Sequence, residues 1–141
     1  MEISLVKRRV QETIDRAKRS AAERRAIADE AAKEYDAFLE RVAVPIFKQV
    51  ANVLRAQRYA FTVFTPAGSV RLMSDRAAED YIELVLETRD GTPAVIGHSS
   101  HLRGRRVTES SRPLGAGPVR DLTEDDVLTF VLKELEPLVE K

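Results

Sequence analysis

Two histidines, His98 and His101, stand three residues apart in a run of small and β-branched side chains. Paired imidazoles are the usual start of a metal site, but on a strand residues three apart face opposite sides. To share an ion they would need a turn at Ser99-Ser100 and carboxylates from elsewhere, so two solvent-facing histidines are the simpler expectation. Ser99, Ser100, Ser110 and Ser111 lie close by, yet no Gly-x-Ser-x-Gly elbow presents one as a nucleophile. Glu79, Asp80, Glu83 and Glu87 form an acidic series. General acid and base work needs a carboxyl whose pKa burial has raised, whereas Glu83 and Glu87 share a strand face with Tyr81 and Val85, as on the solvated side of a sheet. Gly115-Ala116-Gly117-Pro118 is too short for a phosphate cradle and lacks the Gly-Lys-Ser/Thr ending of a P-loop. With no cysteine in the chain, disulfides, thiolate metal sites and cysteine nucleophiles are excluded. No catalytic, cofactor or metal motif emerges.

The arginines are the exception. Arg103, Arg105, Arg106 and Arg112 cluster in a Gly- and Pro-containing segment, and guanidinium forks grip phosphate or carboxylate at two points. Lys7, Arg8, Arg9, Arg16, Lys18 and Arg19 offer a second basic surface. No aromatic residue interleaves with the loop arginines, so base stacking has no support. Pairing with the acidic C-terminal segment, within one chain or between chains, competes with phosphate binding.

The whole chain is neutral, with 23 basic and 23 acidic residues, but its charge is segregated. Met1 to Arg25 carries eight basic residues against four acidic, and Ala26 to Val44 two against five. Gly97 to Arg120 carries five against one, and Asp121 to Lys141 two against seven. Alternating blocks of opposite sign favour association in a fixed orientation; a general polyanion binder would show an overall basic excess. At 141 residues and 43% hydrophobic composition the chain can bury one core. No apolar run approaches the roughly 20 residues that span a bilayer, and the N-terminus lacks the order of a secretory signal. A cytoplasmic protein without a membrane segment is expected.

These residues are positioned by an unusually long N-terminal helix. From Glu2 to about Arg58, one line of sevenfold spacing holds Ile3, Val10, Ala17, Arg24, Ala31 and Phe38. A second holds Lys7, Ile14, Ala21, Ala28, Tyr35 and Val42. Such spacing marks a helix with one apolar seam, suited to a helical partner. The middle of the seam is alanine, which permits close approach but buries little area. Some 40 residues extend about 60 Å, beyond what the remaining chain can cover. Pro45 should kink the helix, having no N–H for the Arg41 carbonyl and a ring that collides with it.

Beyond the helix the period changes to two. Strands are expected at Tyr59 to Thr65, Ser69 to Ser74, Tyr81 to Arg89 and Thr92 to Ser99. Pro66-Ala67-Gly68 forms the first turn, and Asp90-Gly91 is the strongest hairpin signal in the chain. Ser74 to Ala78 could form one helical turn. Ser99 to Arg120 loses all periodicity and is expected as a long basic loop, with at most a short fifth strand around Arg105 to Ser110. Thr123 with Asp126 approximates a capping box for a last helix striped by Leu128, Val131, Leu132, Leu135 and Leu138.

The expected fold is therefore α+β: a long kinked N-terminal helix, an antiparallel meander of about four strands, and a C-terminal helix packed on the sheet. Residues 1–44 form an oligomerisation helix and residues 45–141 the α+β domain. The leading functional expectation is a non-enzymatic self-associating module, a dimer or higher, assembled through Val10, Ile14, Ala17, Ala21, Ala28, Ala31, Tyr35 and Phe38, without a cofactor. A nucleic-acid backbone binder using the basic loop and N-terminus is the alternative. A small-ligand protein or enzyme lacking any known motif is the third.

Overall fold

Helical spacing persists across the whole N-terminal third, and the chain obeys it. In a computed structural model, which describes residues 1–140, α1 spans Ile3–Phe38, a π-helical turn covers Leu39–Ala43, and α2 follows without a break as Val44–Ala56. The π turn shows how Pro45 is accommodated. The Val44 N–H bonds to the Leu39 carbonyl, five residues back rather than four, and this wider turn opens space where the proline ring would meet the Arg41 carbonyl. The extra residue also moves the buried line by one position. Val42, next in the sevenfold series, lies at the flank, and Ala43, Ile46, Phe47, Val50 and Leu54 carry the core face.

The end of α2 forms a tight cap. Tyr59 N–H bonds to the Leu54 carbonyl and Arg58 N–H to that of Arg55, the paired bonds of a Schellman motif. Arg58 takes the left-handed position with φ 69°.

The sheet has five strands in sequential antiparallel order: β1 Phe61–Phe64, β2 Ser69–Ser74, β3 Tyr81–Arg89, β4 Thr92–Arg103 and β5 Arg106–Pro113. The expected long basic loop is thus corrected. Ser99 to Arg103 extend β4, and β5 returns along it with Arg103 opposite Arg106. Gly104 has positive φ and Arg105 does not, the pattern of a type II′ hairpin turn. Only residues 114–123 remain as a connection, pinned by buried Leu114 and Val119 and by a 3₁₀ turn at Val119–Asp121. At the β3–β4 turn, Asp90 and Gly91 both have positive φ, 52° and 75°, as type I′ requires. No helical turn forms between β2 and β3; Asp75 there binds Arg55 and Thr62 instead.

One sheet face carries the core. Val70, Leu72, Ile82, Leu84 and Val95 meet α2 and α3, Glu124–Val139. Gly97 lies under α3 so closely that a Cβ there would overlap the Phe130 ring. The capping box of α3 is complete, with Thr123 Oγ1 accepting from Asp126 N–H and Asp126 accepting from Thr123 N–H. Tyr35 ties α1 to the sheet, its hydroxyl donating to the Gly68 carbonyl at 2.8 Å beside the Leu84 carbonyl at 3.3 Å. Burial, with Glu83 nearby, raises the pKa of that hydroxyl well above its ordinary value.

The opposite face is polar and bent. Arg71 reaches Glu83 at 2.9 Å and stacks on Tyr81. Glu87 meets His98 at 2.9 Å although its register partner is Ala94. In a flat sheet a four-residue offset is about 13 Å, so the β3–β4 hairpin curls over this face, and Ile96 is fully buried there.

Candidate self-association surface

The fold uses only the C-terminal part of the α1 seam. Ala31, Tyr35 and Phe38, expected at an interface between chains, are buried in the chain's own core. Ala21 is half-buried and Ala28 exposed, and both line a hollow beside the β3–β4 turn, with Thr88, Gly91 and Pro93. Ahead of Ala21 the helix projects past the domain. From Ile3 to Ser20 every residue is exposed except half-buried Leu5, a length of about 27 Å.

That overhang is not a uniformly polar rod. Val10 is 52% exposed and Ile14 41%, and with Ile3, Val6 and Ala17 they fall within an arc of about 80° at 3.6 residues per turn. The arc runs on into Ala21, Ala28 and Tyr35, so it continues the side that faces the sheet. Val6 is an addition to the stripe: it stands three residues after Ile3 and four before Val10, off both sevenfold lines. The local hydrogen bonds of this helix join Gln11 to Asp15, Arg16 to Thr13 and Arg24 to Ser20. Lys7, Arg8, Arg9, Lys18 and Arg19 enter no ion pair among the described residues. The segment is both apolar on one side and charge-unbalanced.

The second candidate cluster is dispersed by the hairpin. Arg103 lies 3.5 Å from Glu140, Arg112 3.2 Å from Glu134, and Arg120 3.7 Å from Glu34. Arg112 also stacks over Phe130 at 5.0 Å, with its Nε buried and unbonded among the described residues. Arg105 and Arg106 sit exposed at the β4–β5 turn. Three arginines of the basic segment are thus held by carboxylates of the same chain, and the four expected together do not converge on one point.

The histidines lie on opposite faces of β4, as their spacing requires. His98 binds Glu87, and His101 pairs in register with Thr108. Ser99 bonds to Ser110 at 2.8 Å and donates to Glu134 at 2.9 Å, without a histidine in the network. Glu134 therefore joins two serines and Arg112 beneath α3, a polar link between helix and sheet edge. Asp80 is buried and accepts the Leu102 N–H at 2.7 Å. Among the described residues no three His, Asp or Glu side chains gather as metal ligands, and no helix is long and apolar enough to cross a membrane.

One further surface escaped the sequence reading. Between α2 and α3 an open apolar groove of about 270 Å³ is lined by Ile46, Val50, Val53, Leu128, Leu132 and Leu135. Val53 is 63% exposed and Leu132 52%. The sequence signal was the width of the two apolar stripes, each broader than contact with the sheet alone consumes.

Comparison with protein families, curated proteins and solved structures found no match to the chain.

Proposed function

We propose that this protein is a non-enzymatic self-associating module, at least dimeric at micromolar concentration, with the α1 overhang as its assembly element. The observation that carries this reading is the stripe of Ile3, Val6, Val10 and Ile14, exposed on a helix that outruns its own domain. Most helical stability in proteins comes from packing of an apolar face rather than from propensity, and burial of aliphatic side chains on association is favourable by roughly 25 cal/mol per Å².

The test is the mass of the unmodified protein by sedimentation at two concentrations, beside the double change Val10→Glu and Ile14→Glu. The unmodified chain should sediment as a dimer or larger and the variant as a monomer that keeps a cooperative thermal unfolding transition. A monomeric mass for the unmodified chain would overturn the proposal.

A further inference from the structure

We infer that the stripe of the α1 overhang docks in the groove between α2 and α3 of a second copy of this chain. The inference rests on the self-association reading and names the surface that receives the helix.

Three observations converge on it. The first is length. Val6 to Ile14 covers nine residues of helix, and Ile46 to Leu54 on the groove wall covers nine, each about 12 Å from first to last. An amphipathic helix laid in an apolar groove uses anchors at this spacing. The second is charge. On α3, Asp125 stands three residues before Leu128 and Glu136 four after Leu132, both exposed and outside every ion pair among the described residues. On α1, Lys7 and Lys18 each stand four residues after a stripe residue, Ile3 and Ile14, so a basic flank accompanies the apolar arc. The α2 side of the groove offers the neutral Gln49. A basic-flanked helix therefore meets one acidic rim and one neutral rim, which fixes its orientation.

The third observation excludes the simpler occupants. The chain cannot fill its own groove with its own overhang, because α1, the π turn and α2 form one uninterrupted helical run and α2 is itself a groove wall. Two overhangs laid against each other would bring together segments that each carry six basic and two acidic residues between Ile3 and Ser20. Like charges would then flank the contact on both sides. The groove supplies aliphatic side chains together with the opposite charge.

The absence of cysteine from the chain makes a direct test available. Ile14→Cys and Val53→Cys are prepared separately, mixed in equal amounts and mildly oxidised. The expected product is a mixed disulfide between the two variants, formed faster than either homodimer. In parallel, Leu132→Glu should reduce the sedimenting mass to that of a monomer with its thermal unfolding retained. Asp125→Lys with Glu136→Lys should weaken association by about tenfold, and Lys7→Glu with Lys18→Glu should restore it. If the unmodified protein is dimeric but Ile14→Cys links only to itself and Leu132→Glu leaves the mass unchanged, the groove is not the receptor and the self-association reading stands alone. If the unmodified protein is monomeric, both fall.

Discussion

Arg58 holds an unusual place in the backbone. It closes α2 from the left-handed region, where a Cβ costs roughly 1–2 kcal/mol and glycine is the usual occupant. Glycine loses more backbone entropy on folding, by about 0.4–1 kcal/mol, so strain relief is the larger effect. Arg58→Gly should stabilise the protein by about 0.5–1 kcal/mol in urea unfolding; a loss of stability would mean that the arginine side chain contributes more than its backbone costs. Glu87 offers a second residue-level test. Its carboxyl is held below the ordinary 4.5 chiefly by the hydrogen bond from His98, against slight opposing desolvation and with help from Arg89. A carboxyl whose folded pKa is depressed adds stability that is present above its unfolded pKa and is lost as pH falls through the folded value. The melting temperature of Glu87→Gln should therefore lie below that of the parent at about pH 6, and the gap should close as pH falls below the ordinary 4.5. A gap independent of pH would show that the ionised pair adds nothing.

At the scale of elements, the turns decide whether the meander forms in register. Gly91 has φ 75° in the two-residue β3–β4 turn, and Gly91→Val should cost about 1–2 kcal/mol by forcing a β-branched side chain into left-handed space. An unchanged melting temperature would count against that account. Strong local signals like this one made most of the architecture legible before any coordinates. The starts and ends of β2 and β3 follow from alternation, the α3 start from Thr123 and Asp126, and the irregularity near Pro45 from the missing N–H. The form of that irregularity was not legible, because a kink and a π turn relieve the same collision. The last strand is legible only as a short option around Arg105 to Ser110, for a different reason. Residues Arg106 to Ser111 are exposed on both faces of a sheet edge, so no burial imposes a period of two on Arg-Val-Thr-Glu-Ser-Ser. The Arg103-Gly104-Arg105-Arg106 turn was the available cue, but its arginines drew it toward a binding loop. Edge position also explains their abundance, since charge and proline on an edge strand oppose pairing with another sheet.

For the molecule as a whole, the charge blocks divide into those the fold consumes and those it leaves. The basic segment from Arg103 to Arg120 meets Glu140, Glu134 and Glu34, while the basic N-terminal segment projects from the domain with its apolar stripe bare. The overhang was legible in sequence as a seam too long for one small domain. Its C-terminal limit was not, because Ala31, Tyr35 and Phe38 continue the same two heptad lines and only packing distinguishes them. That division predicts separable stabilities. Core contacts of α1 begin near Ala31, with Leu5 and Ala21 half-covered ahead of it, so deletion of residues 2–18 removes no fully buried side chain of the domain. The shortened chain should unfold cooperatively at a temperature that does not change with protein concentration. The full chain should melt higher as concentration rises, by a few degrees per tenfold, because association adds free energy only to the folded state. Melts at about 5 and 50 μM separate the outcomes for both chains, a range chosen to bracket micromolar association. A full-length melting temperature indifferent to concentration would count against association through α1. A deletion that abolished the cooperative transition would show instead that the overhang is part of the domain's own stability.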